Sequence, residues 1–324
     1  MYQKTVLSSG LRVLTAKMPH ALSVGISVYL GAGSRYERQP EAGVSHFVEH
    51  LCFKGTEKRP TPKEVAETID RVGGVLNAAT DRELTVYYAK VARTHMPLAL
   101  DILTDLVCNP TFDPDEMEKE RHVILEELAS VEDSPGQMAD LLLDATIWPD
   151  QPLGWDVGGT PESVTSISRP AALDYLQRQY VPNNAVIAVA GNVEHEEVVQ
   201  LVDRTVSSWT TGSPSSWFPA RDGHQARLGL RYKNTEQTHL VLAVPGLAQD
   251  HPDRQVLSLL SIILGESMSS RLFMEIRERR ALAYEISSYV THFLDTGLFS
   301  VYAAVDPAKA TEAIPPMLAE LAQL

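Results

Sequence analysis

The sequence predicts an α+β protein made of two homologous halves, each a mainly antiparallel sheet packed with helices. Three observations lead there. Strand-like runs come in pairs and helical runs in groups, a pattern of layered α+β folds rather than of a doubly wound sheet. The order strand, helix, helix, strand, strand occurs twice. A chain of 324 residues is also long for one hydrophobic core, and a stretch rich in Ser, Gly and Pro, Thr210 to Gly223, separates the two copies. The expected division is 1–212, a linker at 213–224, and 225–324.

Each element has a local reason. TVL, the turn SSG and LRVLTAKM read as a hairpin, and LSVGISVYLGAGS as a buried central strand. GVSHFVEHLC follows as a helix. Thr61-Pro62 opens another, with Thr61 as N-cap and Pro62 at the first helical position, ending near Gly73-Gly74. VLNAATDRELTVYYAKV reads as two strands around a short turn. Helical spacing returns from Thr94 to Cys108, in DPDEMEKERHVILEELASVED, and at about 135–148 and 169–180. AVIAVAG is a buried strand and EHEEVVQLVDRTVSSW a helix. In the second copy ARLGLRY and THLVLAVPG read as strands, DRQVLSLLSIILG and SSRLFMEIRERR as helices, and AYEISSYVTHF and GLFSVYAAV as strands. There LLSIIL occupies the place of HFVEHL and carries no histidine pair. The second copy ends at AELAQL, inside a helical pattern, and reads as incomplete at its C-terminus.

Composition narrows the function. An apolar fraction of 44% and a charged fraction of 22% are those of a soluble globular protein. A net charge of −14 argues against a nucleic-acid binder, which needs a basic footprint. Cys52 and Cys108 lie in apolar runs and give no disulfide framework, which fits a reducing compartment. The N-terminus lacks a leader-like apolar region, and no apolar run reaches the roughly 20 residues of a membrane span. A cytoplasmic protein without membrane partners is expected.

The chemistry concentrates in His46-Phe47-Val48-Glu49-His50. Residues four apart on a helix share a face, so two imidazoles point the same way with a carboxylate beside them. Imidazole pairs at this spacing suit zinc, and a catalytic zinc takes three protein ligands and leaves one position open. The order His-x-x-Glu-His is the inverted arrangement, which sets Glu49 beside that open position. A pair of hydrogen-bonded histidines on a half-buried helix is the other reading of the pentapeptide. A third ligand must come from elsewhere. In EMEKERHVILEEL, Glu120 and Glu127 are seven apart and share a face, whereas Glu126 points about 100° away from Glu127. That pair can supply one ligand and one carboxylate behind the ligands. Taken alone, the helix reads as an acidic, solvated face.

The combination HFVEHLCFKGT, LNAATDRELTVYYAKV, EKERHVILEEL and GTPESVTSIS, in this order, resembles the pitrilysin-like metallopeptidases, especially the branch of the mitochondrial processing peptidases and their bacterial relatives. The resemblance runs over nearly the whole chain. It implies one zinc per chain held by His46, His50 and Glu127, the glutamate 77 residues beyond the second histidine. It makes Glu49 the general base on the activated water and Glu120 the carboxylate behind a ligand. It further implies that an unfolded or presequence-like peptide adds as a strand to the edge Leu76-Asn77-Ala78-Ala79, with Asn77 and Ala78 in contact with it. IRERRALAY resembles the family's Arg-and-Tyr element, which maps to Arg277 and Tyr284, facing the catalytic half across a chamber. From chemistry alone these two read equally as a surface arginine and a half-buried tyrosine. Ala281 stands where relatives often carry glycine. A homodimer or heterodimer is implied by analogy, and the alternative function is a non-catalytic or partner-dependent subunit, a type that usually loses the inverted motif. The second half, about a hundred residues against around 200 in relatives, is the main departure.

Overall fold

The structure is a computed structural model, which describes residues 2–221 and 225–323. In chain order the strands and helices begin with β1 (Gln3–Val6), β2 (Arg12–Lys17), β3 (Ser23–Leu30), α1 (Val44–Cys52), α2 (Pro62–Asp70), β4 (Val75–Thr80), β5 (Thr85–Ala92) and α3 (Met96–Cys108). There follow α4 (Pro114–Glu132), α5 (Pro135–Ile147), α6 (Pro161–Ser166), α7 (Arg169–Gln179), β6 (Ala185–Gly191) and α8 (His195–Thr205). The remainder is β7 (Thr238–Pro245), α9 (Arg254–Gly265), a π-helical segment Phe273–Arg279, β8 (Ala283–His292), β9 (Gly297–Val305) and α10 (Ala310–Ala322).

The chain packs as two compact units. One comprises residues up to Leu128 with Trp155–Phe218; the other comprises Ala129–Gly154 with residues from Pro219 onward. This division departs from the expected 1–212. Residues 129–154 join the second unit because α5 lies against β7 and Trp148 and Leu153 bury with Phe293 and Leu298. The boundary at Phe218 and Pro219 falls within the expected linker, whose last residues, 222–224, lie outside the described residues, as does Leu324.

The first unit holds a six-stranded sheet in the order β1-β2-β6-β3-β5-β4, antiparallel except for the β2–β6 pair. β3 is interior, paired with β6 and β5, and β4 is an outer strand with one edge unpaired. Alternate residues Val24, Ile26, Val28 and Leu30 are at most 1% exposed and face the helices. In the same apolar core α1 buries Val44, Phe47, Val48 and Leu51, each at most 1% exposed. Burial of four such side chains is worth roughly 1.5–3 kcal/mol apiece, so α1 is anchored along one whole side. The helix after Thr61 forms as the residues dictate: the Thr61 hydroxyl accepts the Glu64 N–H and Glu64 reaches back to the Thr61 N–H.

The second unit repeats the pattern. β7, α9, the π-helical segment, β8 and β9 follow one another as β3, α1, α2, β4 and β5 do, and β7-β9-β8 matches the sheet order β3-β5-β4. Two sequence expectations change here. ARLGLRY is not a strand: Leu228, Leu230 and Tyr232 are about nine-tenths exposed. The segment instead runs beside α5, where Arg227 donates to the carbonyls of Thr146 and Ile147. SSRLFMEIRERR is π-helical over Phe273–Arg279. Among the described residues, no helix is long and apolar enough to cross a membrane.

Candidate metal centre

Helix α1 places His46 and His50 one turn apart on the side opposite its buried apolar residues. Their rings meet edge to face with centroids 4.6 Å apart, and their Nε2 atoms lie 3.2 Å from each other. From α4, Glu127 brings Oε2 to 3.8 Å from each Nε2. Four donors at about 2.0–2.2 Å from a tetrahedral zinc are roughly 3.3–3.6 Å apart, so these three atoms already have nearly the separations of a ligand set. His46, His50 and Glu127 are also the one group of three His, Cys, Asp or Glu residues among the described residues that could hold a metal ion. Glu126 is outside it.

The protonation chemistry agrees. Glu120 Oε2 accepts from His50 Nδ1 at 3.0 Å, which puts that ring's proton on Nδ1 and leaves the Nε2 lone pair facing Glu127. The other oxygen of Glu120 pairs with Lys54 Nζ at 2.6 Å. Burial, with His50 adding to it, lowers the His46 pKa to about 4, so His46 is neutral at pH 7, the form that binds a metal. Two imidazoles and a carboxylate with a side open are the donor set of a catalytic zinc, and the residues present fit that ion.

Glu49 is not in the ligand group. It is 9% exposed and accepts a 2.6 Å hydrogen bond from the Thr80 hydroxyl on β4. Burial raises its pKa; the Thr80 bond and the neighbouring His50 pull it back. A carboxylate so held, with its proton affinity raised, suits a general base. The last residue of β4 therefore touches Glu49, while Asn77 and Ala78 lie earlier on the same outer strand, where the Asn77 amide oxygen accepts the Ala78 N–H at 2.9 Å. Arg277 and Tyr284 lie in the second unit and meet each other: the guanidinium stands 5.4 Å from the Tyr284 ring centre and 4.8 Å from that of Phe273. With Lys309, Asp306 and Glu236 they line a cavity of about 380 Å³.

Sequence reasoning missed two participants. Lys54 stands four residues after His50, a spacing that could have drawn attention, although α1 ends at Cys52. Thr80 carries no local signal, since its partner is 31 residues away.

Comparison with known proteins gives the family. A family model described as insulinase (peptidase family M16) matches residues 12–160, and one described as peptidase M16 inactive domain matches residues 166–324. The chain is 40% identical over 301 residues to an uncharacterized zinc protease of Rickettsia bellii, covering 92% of this chain and 72% of that protein. It is 42% identical over 313 residues to one of Mycobacterium leprae, covering 94% and 69%, and 37% identical over 302 residues to one of Bacillus subtilis, covering 93% and 73%. In fold it matches the crystal structure of a protease from Helicobacter pylori with a TM-score of 0.93 at 24% identity, over 100% of this chain and 79% of that one.

Proposed function

The chain belongs to peptidase family M16, and from that premise we propose that it is a zinc-dependent endopeptidase acting on unfolded peptides. The observation that supports this best is the convergence of His46, His50 and Glu127, with Glu49 held beside them by Thr80.

In this reading His46, His50 and Glu127 hold the ion. When bound, zinc polarises a water and the scissile carbonyl and can bring the water's pKa to about 7. Glu49 would take a proton from the attacking water and hand it to the leaving amine. Glu120 keeps the His50 proton on Nδ1, and through the Lys54 ammonium it is itself held in place. The unpaired edge of β4 takes the substrate as an added strand, so its main chain is recognised largely independently of sequence. The strand ends at Thr80, which brings a peptide laid along it towards the base. Arg277 and Tyr284, in the second unit, offer a guanidinium and a phenol, groups able to donate to carbonyls.

The test is cleavage of an internally quenched peptide of mixed sequence by the wild-type chain and by Glu49→Gln, with zinc content measured on both. Cleavage by wild type alone at equal zinc content supports the reading. Wild-type protein that binds one zinc yet cleaves nothing supports instead a partner-dependent subunit. Wild-type protein that binds no zinc refutes the endopeptidase reading and supports a non-catalytic subunit.

A further inference from the structure

The two histidines are held by different means. His50 has its ring clamped by Glu120, whereas the His46 Nδ1 is buried and finds no hydrogen-bond partner among the described residues. No hydrogen bond at Nδ1 therefore orients the His46 ring, which otherwise meets His50 at its Nε2 edge, and its place depends on the backbone of the turn that carries it. That turn is the first of α1, where the leading N–H groups have no partner within the helix. The residue at the cap is Gly43, which has no side chain to satisfy them. It cannot readily be replaced by Ser or Asp, because its φ is +89° and an added Cβ would stand 2.5 Å from the Gly158 carbonyl oxygen.

Glu37 supplies what Gly43 cannot. It follows the buried turn Ser34–Tyr36 and is itself 0% exposed. Its Oε2 accepts the Gly43 N–H and its Oε1 the Ser45 N–H, each at 2.8 Å. Ser45 is the residue before His46. Its hydroxyl lies 2.6 Å from that of Tyr175 on α7, which also accepts the Gly33 N–H at 3.2 Å. A buried network thus grips the first turn of α1 from two sides. Placing a carboxylate there is expensive: burial pushes the Glu37 pKa up to about 7, even with the Ser45 and Gly43 bonds opposing it. A plain N-cap needs no such group, since a serine or asparagine on the cap residue suffices. What the carboxylate adds is reach from outside the helix and two bonds on either side of one peptide turn.

We propose that Glu37 is the positioning residue of His46: by bonding the Gly43 and Ser45 N–H groups it sets the place of that ligand through the backbone, as Glu120 sets His50 through its ring. The inference rests on the zinc reading above. The test is the zinc dissociation constant of the full chain, by competition with a chelator, for wild type, Glu37→Gln and Glu37→Asp, together with thermal unfolding of each metal-free protein and the visible bands of the Co²⁺ forms. In Glu37→Gln the amide group faces an N–H donor, so one bond is lost. The expected result is a dissociation constant raised about 10-fold or more, within the range typical for groups behind metal ligands, with altered Co²⁺ bands. Glu37→Asp keeps the charge but shortens the reach, and is expected to weaken binding several-fold. A folded Glu37→Gln that binds zinc within twofold of wild type overturns the proposal, even if its unfolding temperature falls, because Glu37 then only stabilises the helix. Should Glu37→Gln fail to fold, Glu37→Asp decides by the same measure. Wild-type protein that binds no zinc overturns the metal reading and this proposal with it, a result distinct from a change confined to the variants.

Discussion

Replacing Glu120 by Gln tests the metal centre without touching a ligand. The carboxylate is almost fully buried, its side chain 8% exposed, and spends one oxygen on His50 Nδ1 at 3.0 Å and the other on Lys54 Nζ at 2.6 Å. A glutamine has one acceptor oxygen, so it can serve His50 or Lys54 but not both, and its NH₂ then faces a donor. Hydrogen bonds to charged groups contribute about 1.5–3 kcal/mol. Loss of a partner behind a metal ligand typically weakens metal binding about 10–100-fold, which at ~1.4 kcal/mol per factor of ten is about 1.4–2.8 kcal/mol. The two estimates agree, and screening is slight at a buried pair. Glu120→Gln should therefore raise the zinc dissociation constant about 10-fold, and Glu120→Ala, which strands both partners, nearer 100-fold. Chelator competition on folded, metal-free protein measures it. Folded variants with wild-type zinc affinity would refute the claim that Glu120 orients His50.

Three further outcomes are expected. Thr80→Val removes the hydroxyl that holds Glu49 and should lower kcat/KM about tenfold or more in peptide cleavage, with zinc content unchanged. Ala281 has φ +51°, a left-handed conformation that costs a residue with a Cβ roughly 1–2 kcal/mol. Ala281→Gly should stabilise the fold by up to about 1 kcal/mol in urea unfolding. Burial raises Glu37 from 4.5 to about 7, so between those values the folded state binds the extra proton. Its contribution is full below about pH 4.5 and is lost as pH rises through about 7, a loss of about 3 kcal/mol. The stability difference between wild type and Glu37→Gln should accordingly shrink by about that amount from pH 4.5 to 8, measured by urea unfolding of metal-free protein.

Much of the molecule is legible in its sequence, wherever one element carries its own signal. The capping box at Thr61, the apolar face of α1 and the pairing of β4 with β5 all follow from short-range periodicity and turn chemistry. So does the repetition of one order of elements, since the pattern in residues 238–305 echoes that of 23–92. The same reasoning misreads ARLGLRY, because alternation predicts a strand only where a partner strand lies alongside, and here the neighbour is α5. It also assigns 129–154 to the first half, whereas the apolar surface that Trp148 and Leu153 bury against lies on Phe293 and Leu298, far along the chain.

For the candidate site the division is similar. Spacing alone decided that His46 and His50 share a face, and that Glu127 rather than Glu126 shares one with Glu120, because a helix turns by a constant angle per residue. Only the tertiary structure decided that α4 stands across from α1 at ligand distance, that Thr80 reaches Glu49, and that Glu37 closes the first turn of α1. Helical periodicity relates residues within an element, whereas these contacts join separate elements, and which of them meet is settled when the sheet and its helices bury their apolar faces together.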